Sequence, residues 1–172
     1  MKRFFLFFAC ILFLSLVFAL STTTIYYDGF ESNNLAANWT YSSKYSISTS
    51  PTIPVYFGTY AVVADGGTAN VLMNITIGRD VSTQTSCNLT AVMQIHSNLD
   101  GGEYLCKDYS SDGGLTWNMN TGSDGGVGGL CQDGNVDVEN AWRNVTYSFN
   151  PSGITSFKFR FRLNTNNANE DG

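Results

Sequence analysis

From Asn70 onward, apolar and polar residues alternate with a period of two, as they do in strands that bury one face. Val71, Met73, Ile75 and Ile77 share one phase, as do Leu89, Ala91, Met93 and Ile95. The same rhythm returns in Leu105 and Tyr109, in Val145, Tyr147 and Phe149, and in Phe157, Phe159, Phe161 and Leu163. No window carries an apolar stripe at helical spacing, so helix is expected only in the N-terminal segment. Turn chemistry separates the runs: Asn98-Leu99-Asp100-Gly101-Gly102, Asp112-Gly113-Gly114 and Asn150-Pro151-Ser152-Gly153 all suit tight antiparallel connections. Gly-rich residues 118–136 are the exception and read as a long irregular loop. These features predict an all-β domain of two stacked antiparallel sheets over residues 20–172.

The N-terminal segment follows different rules. Lys2 and Arg3 precede an unbroken run of apolar and small residues from Phe4 to Leu20, and Val17-Phe18-Ala19 suits a cleavage site. Residues 1–19 are therefore expected to be a secretory signal, with the protein secreted or at the cell surface. An uncleaved segment would instead be a short membrane anchor.

Composition narrows the partners. The 172 residues carry a formal net charge of −5, which becomes −7 without Lys2 and Arg3, so nucleic acid is not an expected partner. Cys10 leaves with the signal. Cys87, Cys106 and Cys131 then remain, and outside the cytosol thiols tend to pair. Cys106 with Cys131 is the expected disulfide, closing the Gly-rich loop, and Cys87 is left unpaired in this chain.

Catalysis has little to build on. His96 is the only imidazole, and its phase is opposite to that of Met93 and Ile95, so no nucleophilic triad is expected. The acids are scattered over loops, and no pair stands out for glycoside cleavage. Ser110-Ser111-Asp112-Gly113-Gly114-Leu115-Thr116-Trp117 fits the Asp-box hairpin of sialidase propellers, but it occurs once and a propeller needs several copies. It reads as a turn in which Asp112 caps the hairpin and Trp117 packs beneath.

One strand carries a local charge signal. Lys158, Arg160 and Arg162 alternate with core phenylalanines and so point outward together. Two readings stand side by side: pairing with carboxylates across the sheet, Asp108 among them, or a polar and aromatic face shared with Gln94, His96 and Tyr104 that takes sugars or acidic glycans. Sequons at Asn38, Asn74, Asn88 and Asn144 add expected glycosylation sites, three of them in outward phase within strands.

Several pieces together resemble the jelly-roll modules of secreted and cell-surface proteins, the galactose-binding-like carbohydrate-binding modules and MAM-like adhesion domains. They are Asp28-Gly29-Phe30-Glu31 with Trp39, Phe57-Gly58-Thr59-Tyr60-Ala61, Glu103-Tyr104-Leu105 with the Asp112 hairpin, Trp142, and Phe159-Arg160-Phe161-Arg162. The resemblance implies a jelly-roll sandwich with a structural Ca²⁺, held by Glu31 and carbonyls near Gly58, with Asp28 and Asp65 as neighbouring candidates. Two departures stand out. Lys107 occupies a position where an inward aliphatic residue belongs, which implies either a side chain snorkelling past the sheet edge or a shifted register. The pattern would also continue into a closing strand beyond Gly172, so the resemblance implies a C-terminally truncated domain with an open edge.

The functional expectation is an exported, non-catalytic module that binds carbohydrate or a glycosylated surface partner. The alternatives are a structural or adhesive module that associates with itself through an open edge or Cys87, and a fragment of a secreted glycoside-active enzyme.

Overall fold

The computed structural model describes residues 22–49, 55–67, 70–95, 99, 102–119, 131–133 and 139–166. The expected signal (1–19), His96 and most of the Gly-rich loop lie outside them. Among the described residues, the regular structure is strand apart from one turn of 3-10 helix at Leu35–Ala37.

The strands are β1 (Trp39–Tyr41), β2 (Tyr45–Ser48), β3 (Ala61–Ala64), β4 (Val71–Ile75), β5 (Cys87–Met93), β6 (Tyr104–Ser110), β7 (Cys131–Asp133), β8 (Arg143–Phe149) and β9 (Lys158–Asn164). Five of them form one antiparallel sheet in the order β1-β4-β9-β6-β7. The others form two antiparallel pairs, β2–β3 and β5–β8. The chain passes from β4 to β5, returns to β6, and later crosses to β8 and back to β9. This repeated exchange between sheets gives an antiparallel sandwich of jelly-roll type.

The alternation explains the packing. Val71, Met73, Ile75, Leu105 and Leu163 from the large sheet share a core with Met93 and Val145 from β5–β8 and Tyr45 and Ala64 from β2–β3. Trp39 anchors one end, with Phe30, Phe159, Phe161 and Tyr26 around it at centroid distances of 5.4–6.4 Å. Next to Phe159, its register partner, Tyr109 of β6 stacks on Tyr147 of β8, with centroids 5.0 Å apart and hydroxyls 2.9 Å apart. Such aromatic pairs add about 0.5–1.5 kcal/mol each beyond the area they bury.

Two core expectations change. Ile77 is 62% exposed, because β4 ends at Ile75 and the chain leaves the sheet after Thr76 donates its N–H to the Asn38 carbonyl. Lys107 neither snorkels nor shifts register. It keeps the inward phase opposite Phe161, is fully buried between the layers, and donates its ammonium to the carbonyl oxygens of Leu89 and Val145. Part of the expected irregular loop is also strand, since Cys131–Asp133 pairs with Tyr104–Cys106. The disulfide joins Cys106 and Cys131, which are direct partners in that register, and Cys87 is a free thiol.

Candidate ligand-binding surfaces

The outward residues of β9 meet those of β6 across the ladder. Arg160 lies opposite Asp108, and Arg162 opposite Cys106. Both guanidinium Nε atoms donate to the same Asp108 oxygen at 2.8 Å, and Arg162 Nη2 donates to the other oxygen at 3.1 Å. Arg160 also lies 4.3 Å from the Trp117 ring centroid, and Arg162 lies 5.5 Å from that of Tyr104. Tyr104, Arg160 and Arg162 therefore do gather on one face, and Asp108 is the carboxylate that pairs with both arginines. Lys158 stands at the next outward position, opposite Ser110.

Gln94 does not join this face. It follows β5, which pairs with β8 rather than β6, so the outward side of β5 belongs to the opposite layer. His96, expected on the same strand phase, lies outside the described residues.

The Asp112 hairpin walls the cationic face. Its carboxylate accepts the N–H groups of Leu115 and Thr116 and the hydroxyls of Ser110 and Thr116, at 2.5–3.0 Å. Those hydrogen bonds, led by the one from the Thr116 hydroxyl, hold the acid well below the ordinary carboxylate range. Trp117 is thereby carried under the hairpin and against Arg160. Between the hairpin and β4 lies a groove of about 370 Å³, floored by Asn74, Lys158 and Arg160.

A second and larger cavity, about 740 Å³, opens between the layers. Its walls include core aromatics, the Tyr26–Glu31 segment, Tyr56, Tyr60, Gln94 and Trp142. At its mouth Tyr56 and Phe57 are 60% and 80% exposed. The Tyr56 ring meets Trp142 at 5.8 Å between centroids, tilted by 56°. Gln94 Nε2 and Trp142 Nε1 are both buried without a hydrogen-bond partner among the described residues. Unpaired buried donors are uncommon because each forfeits the hydration it had in water.

The carboxylates expected around calcium do not converge. Asp28 accepts hydrogen bonds from Tyr26 Oη, the Phe30 amide and Trp39 Nε1 at 2.8–3.0 Å. Glu31 and Gly58 do come together: the Glu31 carboxylate accepts the amides of Thr59 and Tyr60 at 3.0–3.2 Å. A Cβ at Gly58 would stand 2.3 Å from Glu31 Oε1, and the backbone there has φ of +86°, so only glycine fits. Amide hydrogens of the loop thus face this carboxylate. Asp65 extends β3, its amide bonded to the Lys44 carbonyl, and among the described residues no three acid, histidine or cysteine side chains form a metal-binding group.

Three of the sequon asparagines, Asn38, Asn88 and Asn144, are exposed, and Asn74 is half-buried at the groove. Cys87 lines the larger cavity, and burial pushes its thiol up, away from the reactive thiolate. The buried hydrogen bonds of Lys107 and the contact of Tyr56 with Trp142 were not legible in the sequence. Tyr56 and Trp142 are 86 positions apart, and no local pattern links them.

No protein-family profile and no curated protein sequence matches the chain. Two solved structures are similar. One is the C-terminal family 22 carbohydrate binding module of Clostridium thermocellum Xyn10B, at 12% identity and a TM-score of 0.49, covering 85% of this chain and 87% of that one. The other is described as a xylan-binding domain from the same module family, at 12% identity and a TM-score of 0.43, covering 79% and 82%.

Proposed function

We propose that this chain is a non-catalytic carbohydrate-binding module and that it holds a neutral sugar at the mouth of the interlayer cavity. The observation that carries this reading is the exposed Tyr56 ring set against Trp142 at the cavity. A pyranose presents apolar C–H faces and equatorial hydroxyls. Tilted aromatic rings cover the first.

The Cys106–Cys131 disulfide supports export to an oxidising compartment. Screening against immobilised neutral oligosaccharides, followed by titration of the best binder, tests the reading. Tyr56→Ala and Trp142→Ala should each weaken binding at least about tenfold, the equivalent of about 1.4 kcal/mol. Binding that survives both substitutions would sink the cleft assignment. The adhesive reading, with a cell-surface glycoprotein or a second copy as partner, predicts Cys87-dependent oligomers on non-reducing gels instead.

A further inference from the structure

The groove on the outer face of the large sheet is separate from the interlayer cavity, and its chemistry is different. Thr40, Asn74, Arg160 and Asp108 form a row across β1, β4, β9 and β6, because each is the register partner of the next. Lys158 lies one outward position along β9. Trp117 and Gly114 close the side, and the aliphatic stem of Lys158 approaches Gly114.

The groove's own charge comes from Lys158 and Arg160, and beside it Asp108 pairs with both Arg160 and Arg162. Among the described residues Lys158 forms no ion pair, and no acid lines the groove. Asp112, the acid of the adjacent hairpin, spends its oxygens on that hairpin's own donors. A cationic groove persists in a chain whose formal net charge is −5. Its aromatic wall is already stacked with a guanidinium, and Asn74 and Thr40 supply neutral polar groups at the edge.

We propose that this groove is a second sugar subsite, specific for a uronic acid unit whose carboxylate sits between Lys158 and Arg160. A planar carboxylate matches the guanidinium fork, and Asp108 pins that fork through Nε, so little side-chain freedom is lost on binding. The sugar ring extends toward Asn74 and Thr40. This rests on the carbohydrate reading above but uses a different surface.

Calorimetric titration of the full chain, produced without glycans, with oligogalacturonate and its fully methyl-esterified form tests the subsite. The acid is expected to bind at least about tenfold more tightly than the ester, with an affinity that falls as salt is raised. Lys158→Ala should remove that preference, and Lys158→Gln, which keeps a polar stem, should remove it too. Trp142→Ala should leave the acid's affinity intact, which separates this subsite from the cleft: failure of the cleft assignment alters only the neutral sugars. Equal affinity for acid and ester, a preference that survives both Lys158 variants, no binding of the acid, or inorganic sulfate binding as tightly as the sugar would each overturn the proposal.

Discussion

Lys107 of β6 crosses the interior and donates its ammonium to the carbonyl oxygen of Leu89 on β5 at 2.8 Å. The sandwich is thus joined through its middle by a cation where an aliphatic side chain would ordinarily pack. Burial lowers the Lys107 pKa from 10.5 to about 7, because the charged form gives up its hydration. Backbone carbonyls return part of that loss.

The sign of the resulting pH dependence follows from proton counts. Between about 7 and 10.5 the unfolded chain holds a proton on Lys107 that the folded chain has released, so stability rises with pH across that window. The slope approaches about 1.4 kcal/mol per pH unit. Above it, burial holds the Tyr109 phenol up to about 12 and shifts Tyr26 and Tyr45 in the same direction, so the unfolded chain deprotonates first and stability falls. Urea denaturation from pH 6 to pH 11 should therefore show a maximum near about pH 9–10. Lys107→Met should flatten the rising limb, and an unaltered limb in that variant would refute the assignment.

Asp108 pairs with both Arg160 and Arg162, and its side chain is fully buried. Removing it takes a buried carboxylate away from two guanidinium groups. Asp108→Ala should cost about 3–5 kcal/mol of unfolding free energy, the range for breaking a buried ion pair from one side. Chemical denaturation measures this, with Lys158→Ala as a control expected within about 0.5 kcal/mol of wild type.

The disulfide ties positions 25 residues apart. Loop-closure entropy for that length corresponds to about 3.5 kcal/mol. The Cys106→Ser, Cys131→Ser double variant should lose roughly that amount in urea melts, and a reducing agent should destabilise the wild type but not the variant. Cys87 should react with a thiol reagent slowly in the folded protein and rapidly in denaturant, since burial disfavours its thiolate.

Asp112 organises its hairpin through hydrogen bonds that require the ionised carboxylate. Its contribution is present above the ordinary aspartate pKa and is lost as pH falls through the depressed folded value. Asp112→Asn should lower the melting temperature at pH 7 and reduce the loss on acidification. It should also quench the order of Trp117, read as a red shift in fluorescence on selective exposure of that ring.

The periodicity of single strands made much of the architecture readable in advance. Met73, Leu105, Val145 and Leu163 could be assigned inward from their own neighbours, because a pleated strand alternates its faces whatever it pairs with. The pairing of Cys106 with Cys131 and the cap at Asp112 were legible for the same reason: both rest on nearby residues and ordinary local chemistry. The short strands β1, β2 and β3 were not, since three or four residues are too few to establish a period.

Sequence alone determined which residues of each strand share a side, and that the chain is mildly acidic, rich in strands and able to form one internal disulfide. Tertiary structure decided which sides face the same way. Gln94 and Arg160 share the outward phase in the sequence, yet Gln94 follows β5 and lines the larger cavity, because β5 pairs with β8 while β9 pairs with β4 and β6. The same pairing brought Asp108 under two arginines, carried Lys107 through the interior, and set Trp142 beside Tyr56 across a long stretch of chain. Alternation is a property of one strand; a site is a property of the sheet order that joins several, and that order is settled by long-range packing.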